Sequence, residues 1–314
     1  MTADLDGDTV PVMHGCGHDA HIVMGLKTME LFARSGKDWS GTLELIFQPA
    51  EEGKGGAQVM LKAGLWKKIP LAQALYGQHV FPFPAGQIIT TKDEFTASVD
   101  SLKITLHGSG GHGSQPQDTV DPVVLASYIV VRLQSIVSRV IAPMESAVVT
   151  VGSIHAGQKE NIIPDTAEMR LSVRASTQEV REKVLNSIER IVRAESEASG
   201  AGEPEIDNFH SSAIVNNDEE LSKNLADVLT QELDTEVIFD PNFRLMGSED
   251  FGELGDAENI PYSFWGLGSF SEELMNSESP ISNHSPFFAP QPELTLETGV
   301  RAALSALYSH AKKA

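Results

Sequence analysis

The spacing of apolar and polar positions divides the chain into three stretches. In the first, residues 19–34 (DAHIVMGLKTMELFAR) place apolar side chains at helical spacing, with Asp19 as the expected N-cap and Ser35-Gly36 as the stop. GTLELIF (41–47) is rich in β-formers and predicts a strand after a Trp-Ser-Gly turn. GGAQVMLKAGL predicts a helix closed by Gly64, and LAQALYGQHV and GQIITT predict two more strands. Strands alternating with helices across short loops imply an α/β unit with a mixed or parallel sheet.

The middle stretch changes rhythm. SVDSLKITLHG (98–108), SAVVTVGSIHAG, TAEMRLSVRAS and EPEIDNF read as strands. DPVVLASYIVVRLQSIVSRV (121–140) reads as a helix with Pro122 in its first turn, and STQEVREKVLNSIERIVRAESEASG as an amphipathic helix closed by Gly200. The order β-α-β-β-α-β is that of a ferredoxin-like α+β unit, placed here at 92–209. The last stretch regains α/β character: DEELSKNLADVLTQEL is helical, TEVIFD and PYSFWGLG are strands, and LTLETGVRAALSALYSHAKK is a closing helix. The expected organisation is a mixed-sheet α/β domain built from 1–91 and 210–314, interrupted by the inserted unit.

Composition narrows the function. The chain has 314 residues with 23 Lys and Arg against 44 Asp and Glu, a net charge of −21. Binding a phosphate backbone requires clustered cations, so nucleic acid is excluded as a partner. No apolar run approaches the ~20 residues of a membrane span, and MTADLDGDTV has neither the basic start nor the apolar core of a signal peptide. A single cysteine rules out an intrachain disulfide, which makes a cytoplasmic setting the expectation.

Four places carry candidate chemistry. Cys16-Gly17-His18-Asp19 precedes the first helix, and His14, His18 and His21 crowd a short stretch where packing alone has no need of three histidines. Gln48-Pro49-Ala50-Glu51-Glu52-Gly53 follows an apolar run; most Glu-Glu pairs are solvated, but groups at the C-terminal ends of sheet strands are where α/β sites form. Gly77-Gln78-His79 ends another predicted strand, and Asn283-His284-Ser285-Pro286 sits before the last helix. Singly, each is as compatible with a structural residue as with a ligand. Together, thiolate, imidazole and carboxylate suit Zn, Mn, Co or Ni better than Mg or Ca.

The combination resembles the M20 metallopeptidase family, and within it the amidohydrolase branch of aminoacylase-like, hippurate hydrolase-like and indoleacetyl-amino acid hydrolase-like enzymes. The resemblance is carried by MHGCGHDAH (13–21), QPAEEG (48–53), GQHV (77–80), GSGGHGSQP (108–116), ENIIPDTAEMRLSVR (160–174), MGSEDF (246–251) and NHSPFF (283–288). It implies a catalytic α/β domain with an inserted lid and dimerisation domain, and two divalent metal ions. Cys16, His18, Glu52, His79 and His284 are then the metal ligands and Glu51 the general base. It implies a substrate that is a small N-acyl amino acid, cleaved to a carboxylic acid and a free amino acid. It further implies a homodimer in which His112 reaches the partner's active site and stabilises the oxyanion, with Asn161 contacting substrate. Asp19, Glu249 and Asp250 are candidates to orient ligand histidines, with Ser248 alternatively capping a short helix. His14, His21, His107, His155 and His210 are expected to be structural or superficial, and Arg170 and Arg174 to face solvent. Two other readings stay open: a non-catalytic, metal-binding assembly subunit, motivated by an N-terminus shorter than the family's, and a dipeptidase or aminopeptidase.

Overall fold

The protein is described from a computed structural model covering residues 2–5, 7–13, 15–36, 39–53, 55–277 and 281–311. A small antiparallel hairpin, β1 (Thr2–Leu5) and β2 (Asp8–Pro11), leads into α1 (His18–Arg34). Helix α1 buries Ala20, Met24, Thr28 and Phe32, one residue per turn along a single face. Its N-cap is Gly17, not Asp19. Gly17 is left-handed at φ 79, and a Cβ there would lie 2.3 Å from a Val80 methyl, so close approach and backbone conformation both demand glycine. Asp19 lies in the first turn, where its charge complements the helix dipole.

After α1 come α2 (Gly56–Lys62) and α3 (Leu65–Lys68), then β3 (Leu75–Pro84) and β4 (Ile88–Thr90). The middle of the chain supplies β5 (Ser98–His107), β6 (Gly111–His112), α4 (Pro122–Arg139), β7 (Ala147–Ala156), β8 (Ile162–Ile163), β9 (Thr166–Ala175), α5 (Gln178–Ala198) and β10 (Glu205–Ser212). The remainder is α6 (Glu219–Glu232), β11 (Val237–Phe239), α7 (Phe251–Asp256), β12 (Tyr262–Phe270), α8 (Glu272–Met275) and α9 (Pro292–Ala311).

Two four-stranded sheets organise these elements. The first, in the order β11-β4-β12-β3, is mixed: β12 runs parallel to β3 and antiparallel to β4. Every residue of β12 is buried, as expected of a strand covered on both faces. Met24 of α1, Val300, Ala302 and Ala306 of α9 and Leu225 and Leu229 of α6 close over Val80, Trp265 and Leu267. The second sheet, β10-β5-β9-β7, is antiparallel throughout. Helices α4 and α5 pack Leu125, Ile129, Leu133, Val184 and Ile188 onto Ile104, Leu106, Met169 and Val173 to form a separate core. Helix α4 is long and apolar enough to cross a bilayer, but that Leu125–Ile136 face is spent on this sheet. Asp100, fully buried at the start of β5, accepts from Arg181 of α5 at 2.7 and 2.8 Å and from Asn208 of β10 at 2.8 Å.

The strand predicted at 41–47 makes no ladder. A groove of about 730 Å³ separates these residues from β3, the edge strand of the mixed sheet, so their β-propensity meets no partner backbone. The ends of the second sheet are tied to the loop before α7. Ala97 N–H donates to Leu245 O at 2.9 Å, Arg174 Nη1 to Met246 O at 2.8 Å and Ser212 Oγ to Glu249 O at 3.0 Å. Arg174 is thus half-buried and engaged rather than facing solvent, whereas Arg170 is exposed beside Glu168.

Candidate metal centre

Cys16 lies just before α1, His18 opens the helix, His79 sits within β3, and Glu51 and Glu52 occupy the loop ahead of α2. His284 precedes α9 at φ 69, a left-handed conformation unusual for a residue with a Cβ. Its N–H donates to Gly15 O at 2.5 Å, joining the last of these loops to the first.

Folding brings all five expected ligands together. The ligand atoms of Cys16, His18 and His79 lie within 4.8 Å of one another, as do those of Cys16, Glu52 and His284 and those of His18, Glu51 and Glu52. Cys16 Sγ is 3.5 Å from His79 Nε2. One oxygen of Glu52 is 3.6 Å from His18 Nε2 and the other 3.2 Å from His284 Nε2. Two overlapping donor sets thus share Cys16, while Glu52 faces the histidines of both. The set fits a pair of borderline transition metals. His79 is prepared as a ligand: its Nδ1 donates to Val80 O at 2.7 Å, which turns the Nε2 lone pair toward Cys16.

The electrostatics point the same way. Burial, with help from His18 and His284, holds His79 down to about 4 against the pull of the Val80 carbonyl, so its imidazole is neutral at pH 7. Burial pushes the Cys16 thiol up to about 12; Asn283 opposes this and the Glu52 and Glu51 charges add to it. A divalent cation is what such a thiol needs to ionise. Glu51 is pushed up to about 7 by burial first, then by the charges of Glu52 and Asp250.

Residues beyond the expected ligands enter as well. Asn283 Nδ2 donates to Cys16 Sγ at 3.3 Å, a contact between residues far apart in sequence. His21, expected to be structural, is so, but within the centre: its Nε2 accepts Val80 N–H at 3.0 Å and its ring lies 4.5 Å from that of His79. Burial, aided by His79 and His18, holds it well below the ordinary histidine range, so it acts as a neutral acceptor. Glu249 faces Glu51 and Asp250, not a ligand histidine, and Asp250 is bonded to Gln48. Ser248 does not cap α7, whose N-cap is Asp250. His112, on β6, and Asn161, just before its partner strand β8, come together elsewhere, where Gly113 N–H donates to Asn161 O at 2.9 Å. Both are exposed, and neither belongs to the donor sets. His107 pairs with Glu205, His155 is exposed and His210 is half-buried; His14 lies outside the described residues.

Residues 3–309 match peptidase family M20/M25/M40. The chain belongs to this family. Among its relatives, hippurate hydrolase of Campylobacter jejuni is 39% identical over 274 residues, which is 87% of this chain and 70% of that protein. N-acetyldiaminopimelate deacetylase of Priestia megaterium is 36% identical, covering 83% of this chain and 68% of the relative. Thermostable carboxypeptidase 1 of Saccharolobus solfataricus is 35% identical, covering 83% and 65%. The chain thus spans about two thirds of the length of these relatives. Its fold is similar to that of the Bacillus subtilis YXEP protein, a dinuclear metal-binding peptidase of the same family, with a TM-score of 0.75 and 28% identity over 98% of this chain and 75% of the other.

Proposed function

We propose that this chain hydrolyses the amide bond of small N-acyl amino acids, with two divalent transition-metal ions held by Cys16, His18, Glu52, His79 and His284. The observation that carries the reading is the convergence of these five donors on a space bordered by Glu51. Bound there, the ions supply Lewis acidity to polarise the scissile carbonyl and to acidify a water. Glu51 Oε2 is 3.8 Å from His18 Nε2, so the carboxylate stands beside the ligands and takes the proton of the attacking water. The same carboxyl then delivers that proton to the departing nitrogen, a single group serving as base and acid in turn.

The substrate class is supported by relatives named for hippurate and for an N-acetylated amino acid. Zn, Mn, Co and Ni all suit the donor set. Dimerisation through the second sheet is supported by its edge strand β7 and by α4, which leaves Tyr128 63% and Val131 73% exposed. Such a dimer would let His112, exposed and apart from its own donor set, serve the partner's oxyanion; Asn161 beside it would contact substrate. An active, strict monomer refutes that role.

The test is metal analysis joined to hydrolysis of N-acetyl- and N-benzoyl-amino acids. Two bound ions per chain and turnover that is lost on chelation and regained with metal are expected; bound metal without turnover supports a non-catalytic, metal-binding subunit. Preference for free-amine dipeptides over acylated substrates would instead mark a dipeptidase or aminopeptidase. Glu51→Gln is expected to lower kcat by at least about a hundredfold while leaving metal content unchanged.

A further inference from the structure

The loop carrying Glu51 and Glu52 is unusual in how it is held. It leaves Gln48, passes through Ala50 at the positive φ of 56 and Gly53 at 132, and returns so tightly that a Cβ on Gly56 would lie 1.6 Å from Pro49 O. Within it, Gly53 N–H donates to Glu51 O at 2.7 Å. Left-handed backbone at a residue with a Cβ persists only where its surroundings impose it. The described hydrogen bonds point to one residue that does so. Asp250, 3% exposed, accepts from Gln48 Nε2 with one carboxylate oxygen. With the other it accepts from the N–H of fully buried Ala57 at 3.1 Å. Gln48 enters the turn and Ala57 is the second residue of α2, just beyond it. One carboxylate therefore staples both ends of the loop, and the two glutamates project from the closed part.

The carboxylates of Glu51, Glu249 and Asp250 form an acidic group close enough to suggest another ion site. The hydrogen bonds argue otherwise, since both oxygens of Asp250 already accept donors that belong to the loop. Asp250 is itself well anchored. The preceding residues bond to Ala97, Arg174 and Ser212, and Phe251 packs where a Cβ on Gly77 of β3 would lie 2.8 Å away.

We propose that Asp250 is a positioning residue for the reaction, fixing Glu51 relative to the metal ligands by bridging Gln48 and Ala57. The proposal rests on the assignment of Glu51 as the base. It ascribes no contact with substrate to Asp250.

The hydrogen-bond chemistry provides a rescue experiment on the whole, zinc-loaded chain. Gln48→Glu sets two carboxylates against each other and opens the staple. The double variant Gln48→Glu/Asp250→Asn closes it with reversed polarity: the new amide donates to the new carboxylate while its oxygen still accepts from Ala57. For hydrolysis of an N-acetyl-amino acid, the single variant is expected to lose about tenfold or more in kcat with KM within about twofold, because misplacement of a catalytic group acts on the chemical step. Hydrogen–deuterium exchange of the amides between Ala50 and Ala57 is expected to quicken in the single variant, and the double variant to restore both readings. Unchanged kcat and exchange in Gln48→Glu, or a double variant no better than the single, overturns the proposal. Exchange is read whether or not substrate turns over. A chain without hydrolase activity therefore counts against the functional reading, while the staple is still judged by the exchange of the two variants.

Discussion

At the scale of single residues, the centre is a contest between burial and charge. Glu249 shows it most clearly. Burial first, and then the Glu51 charge, push its carboxyl up to about 8 despite the hydrogen bond from Phe251 N–H. A carboxyl raised in the folded state stabilises fully below its unfolded value and loses that contribution as pH climbs toward its folded value. Metal-free protein is therefore expected to lose stability between about pH 4.5 and 8 through this group. Glu249→Gln is expected to raise the metal-free Tm at pH 8 and leave it little changed at pH 4.5, as measured by thermal unfolding. Much of this chemistry was legible in the sequence, because Cys16, His18, Glu51, Glu52, His79 and His284 stand in short motifs with recognisable neighbours. The partners that tune them were not. Asn283 meets Cys16, and Gln48 meets Asp250, across separations that no local pattern encodes.

At the scale of elements, the turns into the helices determine where ligands point. Gly17 separates Cys16 from His18 and lets α1 start hard against Val80. Gly17→Ala is expected to cost roughly 1–3 kcal/mol, from left-handed strain and overpacking, and to weaken metal binding because ligands flank it. Denaturant unfolding and metal titration of the same sample check both. The buried Asp100 binds α5 and β10 to β5. Asp100→Ala leaves Arg181, only 18% exposed, without its counter-ion and is expected to destabilise by roughly 3 kcal/mol. Helix and strand periodicity predicted most elements within a few residues, including the buried run that became β12. It failed at 41–47, where strand propensity is high but β3 lies across a groove, and at the N-terminus of α1, where geometry favours a bare glycine over the nearby Asp19. Propensity describes a residue's readiness to pair, and pairing also needs a neighbour.

At the scale of the whole molecule, the metal centre gathers residues from near both ends of the chain. Cys16 and His284 are far apart in sequence, so ions held between them would bind the folded state far better than the unfolded chain. Chelation is therefore expected to lower Tm, and metal at about a hundred times its Kd to add up to roughly 2.7 kcal/mol of stability for each site it fills. Scanning calorimetry with and without chelator measures this. The α/β character and the mixed sheet were readable from alternating periodicities, whereas the order in which strands lie side by side was not, since it depends on packing between distant segments. The sequence contains one cysteine, and it stands where the two donor sets overlap. The single thiol of these 314 residues is accordingly a thiol of the candidate metal centre. A simple count of reactive sulfhydryl groups becomes a gauge of site occupancy, and oxidation of that one sulfur removes a donor from both sets at once.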